Sequence, residues 1–300
     1  MTRQPWHGVL VATALPFHGA GDDPLAVDLD RYAEHVRWLA AEGCDGVVPN
    51  GSLGEYQSLT AGERAAVVRT AVDAAPQGFT VMPGVGAYGA REARSWAEQA
   101  AGAGAHAVMA LPPNAYRAEE NAVVEHYREV ARAGLPVVAY NNPVDTRVDL
   151  TPQLIERLHG EGLVVAVKEF TGDVRRAYEI AELVPGLDLL VGSDDVTLEV
   201  ALAGAVGWVS GYPNALPRSC VRLWELVRGG EVAAALPLYR ELHPLLRWDS
   251  KVEFVQAIKL SMDLAGRYGG PCRPPRQPLG AGAERAVREA TEKALAGGLR

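Results

Sequence analysis

The sequence predicts an α/β protein, a (β/α)8 TIM barrel with a C-terminal α-helical extension, and three observations carry that expectation. Eight short apolar runs recur between residues 8 and 210; amphipathic segments alternate with them; and beyond residue 216 the runs stop while helical patterns continue. The expected division is therefore residues 1–215 as a catalytic barrel and 216–300 as helices packed on it. No internal repeat beyond the alternation itself is visible.

The runs occupy residues 8–13, 46–49, 79–84, 105–111, 135–140, 163–168, 187–191 and 206–210. None alternates apolar with polar residues, which is the pattern of strands buried on both faces. Helical spacing fills 29–42, 60–74, 90–102, 119–133, 151–158 and 174–183. Thr60 with Glu63 three residues on makes a capping box, and Thr151-Pro152 supplies an N-cap followed by proline at N1. An open doubly wound sheet is the competing arrangement, but eight units before residue 215 favour closure. Further helices are expected at 219–228, 232–246, 251–265 and 283–295, with a proline-rich loop between the last two.

Composition sets the outer limits. A chain of 300 residues, 48% hydrophobic and 22% charged, buries a large core without staples. Its formal net charge of −8 argues against nucleic-acid or anionic-membrane partners. Three cysteines far apart (Cys44, Cys220, Cys272) suit no disulfide framework, and the seven histidines show no metal-ligand spacing. The opening Met1-Thr-Arg-Gln-Pro-Trp6 lacks the apolar core of a signal peptide, and no 18-residue apolar stretch occurs. A cytoplasmic protein is expected.

Barrel chemistry sits at the C-terminal ends of the strands. Lys168 ends the sixth run after apolar neighbours, where desolvation would lower its pKa and free an amine to attack a carbonyl; a strand-end lysine reaching out to solvent is the plainer reading. Tyr140 ends the fifth run and is placed to shuttle protons beside that amine. Gly51-Ser-Leu-Gly-Glu55 follows the second run, and its backbone N–H groups could cradle a carboxylate, with Ser52 adding a hydroxyl; alone it is an ordinary turn. The eighth run ends at Ser210-Gly-Tyr212, which brings Gly211 to the same mouth.

Gly51-Ser-Leu-Gly-Glu55, Tyr140-Asn-Asn-Pro143, Lys168-Glu-Phe-Thr-Gly-Asp173 and Gly192-Ser-Asp-Asp195, in this order, resemble the dihydrodipicolinate synthase / N-acetylneuraminate lyase family. The likeness runs from Gly8 to about Leu295. It implies a barrel with helical extension, usually a homotetramer built as a dimer of dimers, and class I aldolase-type lyase chemistry that needs no metal or organic cofactor. Lys168 would form a Schiff base with a 2-oxo acid, commonly pyruvate. Tyr140 would relay the proton, and Ser52 with the Leu53 backbone and Gly51 would hold the carboxylate. Asn142, Asp194, Asp195 and Gly211 complete the expected substrate-binding set.

Three departures bear on substrate. Dihydrodipicolinate synthase itself carries two hydroxyl residues in the second-strand loop, where Leu53 stands second here. Its arginine after the tyrosine motif is replaced by Val144-Asp145, with Arg147 later. Its tyrosine donated across the dimer corresponds to Asn114, with Tyr116 two residues on. An acid in place of a carboxylate-binding arginine repels an anionic aldehyde, so 4-hydroxy-tetrahydrodipicolinate synthesis is disfavoured. Asp194 and Asp195 fall where sialic-acid lyases hold the polyol tail, suggesting a hydroxylated substrate; capping of the helix that starts near Val196 explains them equally. Dehydration or deamination of a sugar- or hydroxyproline-derived 2-oxo acid stays open beside aldol cleavage.

Two other readings compete. Gly84-Val-Gly86-Ala-Tyr-Gly89 matches the GxGxxG dinucleotide pattern, but no acidic residue ends the next run, and a barrel turn accounts for the glycines better. A non-enzymatic 2-oxo-acid sensor is disfavoured by the joint presence of Lys168, Tyr140 and Ser52.

Overall fold

The computed structural model describes residues 3–20, 25–114 and 116–300. Eight strands form one parallel sheet: β1 Gly8–Ala12, β2 Gly46–Val48, β3 Thr80–Val81, β4 Val108–Ala110, β5 Val137–Asn141, β6 Ala166–Glu169, β7 Asp188–Val191 and β8 Gly207–Ser210. Their order is β3-β2-β1-β8-β7-β6-β5-β4. Between β3 and β4 the ring closes through a parallel bridge at Gly84 and Met109, with His106 N–H donating to Val81 O and Met109 N–H to Pro83 O, each at 2.9 Å.

All eight apolar runs thus became strands, and the reason is visible in their two faces. Leu10, Val48, Met82, Met109, Val138, Ala166, Leu190 and Val209 fill the barrel interior. Val9, Val108, Val137, Val167, Leu189, Val191 and Trp208 face outward against helices. With both faces dry, no polar residue marks the pleat.

The helices are α1 Leu29–Ala41, α2 Ala61–Ala74, α3 Ala90–Ala103, α4 Glu120–Ala131, α5 Pro143–Thr146, α6 Pro152–Gly160, α7 Val174–Leu183, α8 Thr197–Leu202, α9 Pro217–Arg228, α10 Val232–Leu246, α11 Phe254–Leu264 and α12 Ala281–Ala296. The Thr60–Glu63 capping box forms reciprocally, Thr60 N–H to Glu63 Oε2 at 2.8 Å and Glu63 N–H to Thr60 Oγ1 at 3.3 Å. Thr151 caps α6 as its sequence signals.

Two boundaries differ from expectation. Helix α9 lies beyond residue 215 yet packs on β1 and α8, which makes it the eighth helix of the ring; the added helices are α10, α11 and α12. Helix α5 is new, a single turn opened by Asn142 as N-cap and Pro143 at N1. No helix among the described residues is long and apolar enough to cross a membrane.

Candidate active site

The two-residue period of the strands aims the chemistry. In β5, Val138 points into the barrel, so Tyr140 does too; in β6, Ala166 and Lys168 share that phase. Tyr140 and Lys168 are register partners, and the Lys168 Nζ lies 4.2 Å from the centre of the Tyr140 ring and 5.6 Å from that of Phe170. Phe170 meets Tyr140 edge to face, with ring centroids 6.1 Å apart.

Lys168 is buried, 5% exposed, and among the described residues it has no hydrogen-bond or ion-pair partner. Burial pulls its pKa down to about 8, against the opposing pull of the Asp249 and Asp194 carboxylates. The free amine is therefore more abundant near neutrality than for an ordinary lysine. Burial, and then the charge on Asp249, pushes the Tyr140 phenol well above its usual range, so it remains a proton donor. Asn142 Nδ2 donates to the Tyr140 hydroxyl at 3.2 Å and to Asp145 Oδ2 at 2.9 Å, fixing where the phenol points.

These groups share one cavity of about 600 Å³ at the C-terminal mouth of the barrel, with Gly51, Ser52, Leu53, Asp145 and Gly211 on its wall. The loop after β2 is shaped by left-handed backbone at both ends, Asn50 (φ 56°) and Glu55 (φ 53°). Backbone N–H groups of residues 51–54 donate to no protein acceptor among the described residues, and Gly51, Ser52 and Leu53 of this loop line the cavity.

The loop is anchored from outside the barrel. Lys259 of α11 donates to Glu55 Oε1 at 2.9 Å and to Pro271 O at 2.7 Å, and Arg273 N–H donates to Glu55 Oε2 at 3.0 Å. Both partners of the Lys259–Glu55 pair are 2% exposed. A lysine on the buried stripe of α11, beside Val255, Ile258 and Met262, was the sequence signal for this anchor.

Asp194 and Asp195 do not line the cavity. Asp194 is fully buried behind it, accepting from Trp208 Nε1 at 2.9 Å and from Gly211 and Tyr212 N–H at 3.2 Å each. Asp195 accepts from Ser250 Oγ at 2.8 Å. Asp194 thus holds the β8 end and the turn after it, Asp195 is turned to Ser250, and neither side chain caps α8.

Asn114 lines the cavity and donates to the Tyr56 hydroxyl at 3.4 Å. Tyr116 and Arg147 instead line a separate shallow groove with Asn114. Several cavity residues escaped the sequence reading, among them Arg64, Glu92 and Asp249. Asp249 lies in the loop between α10 and α11, where no periodicity points to a site, and Arg276 reaches the cavity from the proline-rich loop before α12.

Gly84, Gly86 and Gly89 form no nucleotide site. A side chain on Gly84 would start 2.4 Å from Asn50 O, and the Gly84 and Gly86 carbonyls accept from the buried Arg64 guanidinium. Close backbone contact inside the barrel explains Gly84, and Gly86 packs against the Leu111 and Tyr56 side chains. Among the described residues, no group of three or more His, Cys, Asp or Glu side chains is placed to hold a metal ion.

A closed (β/α)8 barrel with a buried, unpaired lysine beside a tyrosine at its mouth defines an enzyme of the lyase class with aldolase-type chemistry. The dihydrodipicolinate synthetase family profile matches residues 5–294, and the chain belongs to that family. It is 32% identical over 290 residues, 94% of this chain and 95% of the other, to a 4-hydroxy-tetrahydrodipicolinate synthase of Anaeromyxobacter dehalogenans (strain 2CP-C). A protein of the same name from Acidothermus cellulolyticus is 32% identical, covering 98% of this chain and 93% of its own. Among solved structures, YagE, a prophage protein of the dihydrodipicolinic acid synthase family from E. coli K12 in complex with pyruvate, superposes with a TM-score of 0.89 at 27% identity, covering 97% of this chain and 99% of its own. Dihydrodipicolinate synthase from Aquifex aeolicus gives 0.90 at 26%, over 96% and 97% of the two chains.

Proposed function

We propose that the enzyme forms a Schiff base between Lys168 and a 2-oxo acid, pyruvate or a hydroxylated relative, and makes or breaks the bond next to it. The observation that carries this reading is the unpaired Lys168 amine, its pKa lowered to about 8, facing the Tyr140 ring across 4.2 Å. Its free amine attacks the keto carbon; loss of water leaves an iminium, and that cation draws off the electron pair released when the adjacent bond breaks. The substrate carboxylate fits the free N–H row of residues 51–54 with the Ser52 hydroxyl, and Tyr140 moves protons at the reacting carbon.

The wall opposite carries Asn142 and Asp145, which suit hydroxyl groups. Asp145 stands on the cavity wall at the position where a carboxylate-binding arginine is missing, and this favours a 2-oxo acid whose remaining part is uncharged and hydroxylated over an anionic aldehyde partner. We place the enzyme in the cytoplasm as a homo-oligomer, a tetramer of paired dimers. Tyr88 and Val144, 72% and 67% exposed at the cavity rim, support a covered mouth in the assembly.

Incubation with pyruvate and borohydride should add one reduced pyruvyl group at Lys168 by mass spectrometry, and Lys168→Ala should take up none and lose turnover. An unmodified Lys168 across a panel of sugar-derived, aromatic and hydroxyproline-derived 2-oxo acids would overturn the reading. Products from the same panel separate cleavage from dehydration and deamination.

A further inference from the structure

Asp249 enters the active-site cavity from the helical extension, and its position is fixed from several sides. It follows α10, where its own N–H donates to Leu246 O and that of Lys251 to Trp248 O, each at 3.1 Å. The residue between them, Ser250, donates its hydroxyl to Asp195 Oδ1 at 2.8 Å. Asp194 N–H donates to Asp249 Oδ2 at 3.4 Å, which brings the carboxylate to the ends of β7 and β8. A Cβ on Gly211 would start 3.0 Å from Asp249 Oδ1 and 2.7 Å from Ile258 Cδ1, so glycine after β8 leaves the carboxylate its room.

The second carboxylate oxygen is left over. Asp249 Oδ1 accepts no hydrogen bond among the described residues, and no cation closes on it. Lys251 lays its ammonium 3.7 Å over the Trp248 ring, and that of Lys168 lies against Tyr140 and Phe170. Asp249 lines the same cavity as Lys168. So does Asp145, whose Oδ2 is taken by Asn142 Nδ2 while its Oδ1 accepts nothing among the described residues. A carboxylate only accepts hydrogen bonds, and one taken from water needs donors in return. Two such free oxygens on one cavity wall call for a ligand that donates.

We infer that Asp249 is a specificity-determining residue, accepting a hydrogen bond from a hydroxyl on the part of the 2-oxo acid beyond its keto carbon. This rests on the Lys168 reading above and names the residue that reads the substrate's tail. Asp194, the acid expected in that role, has its oxygens filled by Trp208 Nε1 and by the N–H groups of Gly211 and Tyr212. Asp249 is the acid at the β7 and β8 ends that lines the cavity with an oxygen to offer. A site built to accept from a substrate hydroxyl discriminates against the analogue lacking it, because the acid is then left without its donor.

The test compares a six-carbon 2-oxo acid with a hydroxylated chain against 2-oxohexanoate, the same skeleton without hydroxyls. Borohydride trapping gives the half-saturating concentration of each in wild type, Asp249→Ala and Asp249→Asn. Both acids meet the same Lys168, so any effect of the lost charge on the amine cancels in their ratio. Wild type should favour the hydroxylated acid, and Asp249→Ala should erode that preference about 10- to 100-fold, the range for a hydrogen bond to a charged group. Asp249→Asn keeps the shape and one acceptor; it should move the ratio the same way by less, and it carries the test if the alanine variant does not fold. An unchanged ratio in folded variants, or a wild type that traps pyruvate but binds the hydroxylated acid no better than 2-oxohexanoate, overturns the inference and leaves Lys168 as the nucleophile. Failure of wild type to trap pyruvate or any 2-oxo acid of the panel would instead remove the underlying reading, and this inference with it.

Discussion

Glu55 and Lys259 form a buried ion pair, Nζ to Oε1 at 2.9 Å, that ties the loop bearing Ser52 to a helix outside the barrel, more than 200 residues along the chain. The pair makes the carboxylate cradle depend on the extension. Charge burial on this scale is tolerated because Pro271 O, Arg273 N–H and the Arg276 guanidinium, 4.0 Å from Glu55 Oε2, complete the network.

Lys259→Met should therefore cost about 3 kcal/mol, since it strands Glu55 as a buried carboxylate short of its cation. Chemical denaturation measures the loss. Because Glu55 shapes the 51–54 loop, KM for the 2-oxo acid should rise more than kcat falls. A stable variant with unchanged KM would show that the loop holds its shape unaided.

Tyr140→Phe should lower kcat about 100-fold while leaving folding intact, because the hydroxyl's one partner among the described residues is Asn142 Nδ2 and the ring stays packed on Phe170. Asn142→Ala removes the group that aims the phenol, and about a fivefold loss in kcat is expected from one hydrogen bond. Steady-state kinetics of the two variants side by side checks the ranking.

The pH dependence follows from the direction of the Lys168 shift. Its pKa is lowered to about 8, so the reactive amine accumulates as pH rises through 8 instead of 10.5. Trapping by borohydride should climb through an inflection near pH 8 and level off above it. An inflection near 10 would mean that the amine is hydrated and not held in a dry site.

Gly84→Ala should destabilise the protein by about 2–3 kcal/mol, as a Cβ there starts 2.4 Å from the Asn50 carbonyl, a backbone atom that cannot swing aside. Gly89→Ala, where nothing lies within 4 Å, is the control and should be near neutral in thermal denaturation.

Much of this was legible in one dimension. A strand buried on both faces must be apolar throughout, so the eight runs announced the barrel, and the Thr60–Glu63 box and Thr151-Pro152 announced helix starts. The pleat then fixed Tyr140 and Lys168 as inward and adjacent. Asp194 misled because its position beside Gly192-Ser193 at a strand end looks the same whether the carboxylate faces substrate or backbone N–H groups; only packing showed it turned to Trp208, Gly211 and Tyr212.

The sequence by itself determined the barrel, the order of its strands' chemistry and the lysine–tyrosine pair, because strand periodicity and strand ends are local properties. Tertiary structure alone decided that Asp249 and Arg276 enter the cavity, that Lys259 braces Glu55, and that Asp194 stands behind the site. Those placements depend on how α10 and α11 dock over the barrel mouth. Docking is set by side-chain packing between segments up to two hundred residues apart, which no local pattern encodes.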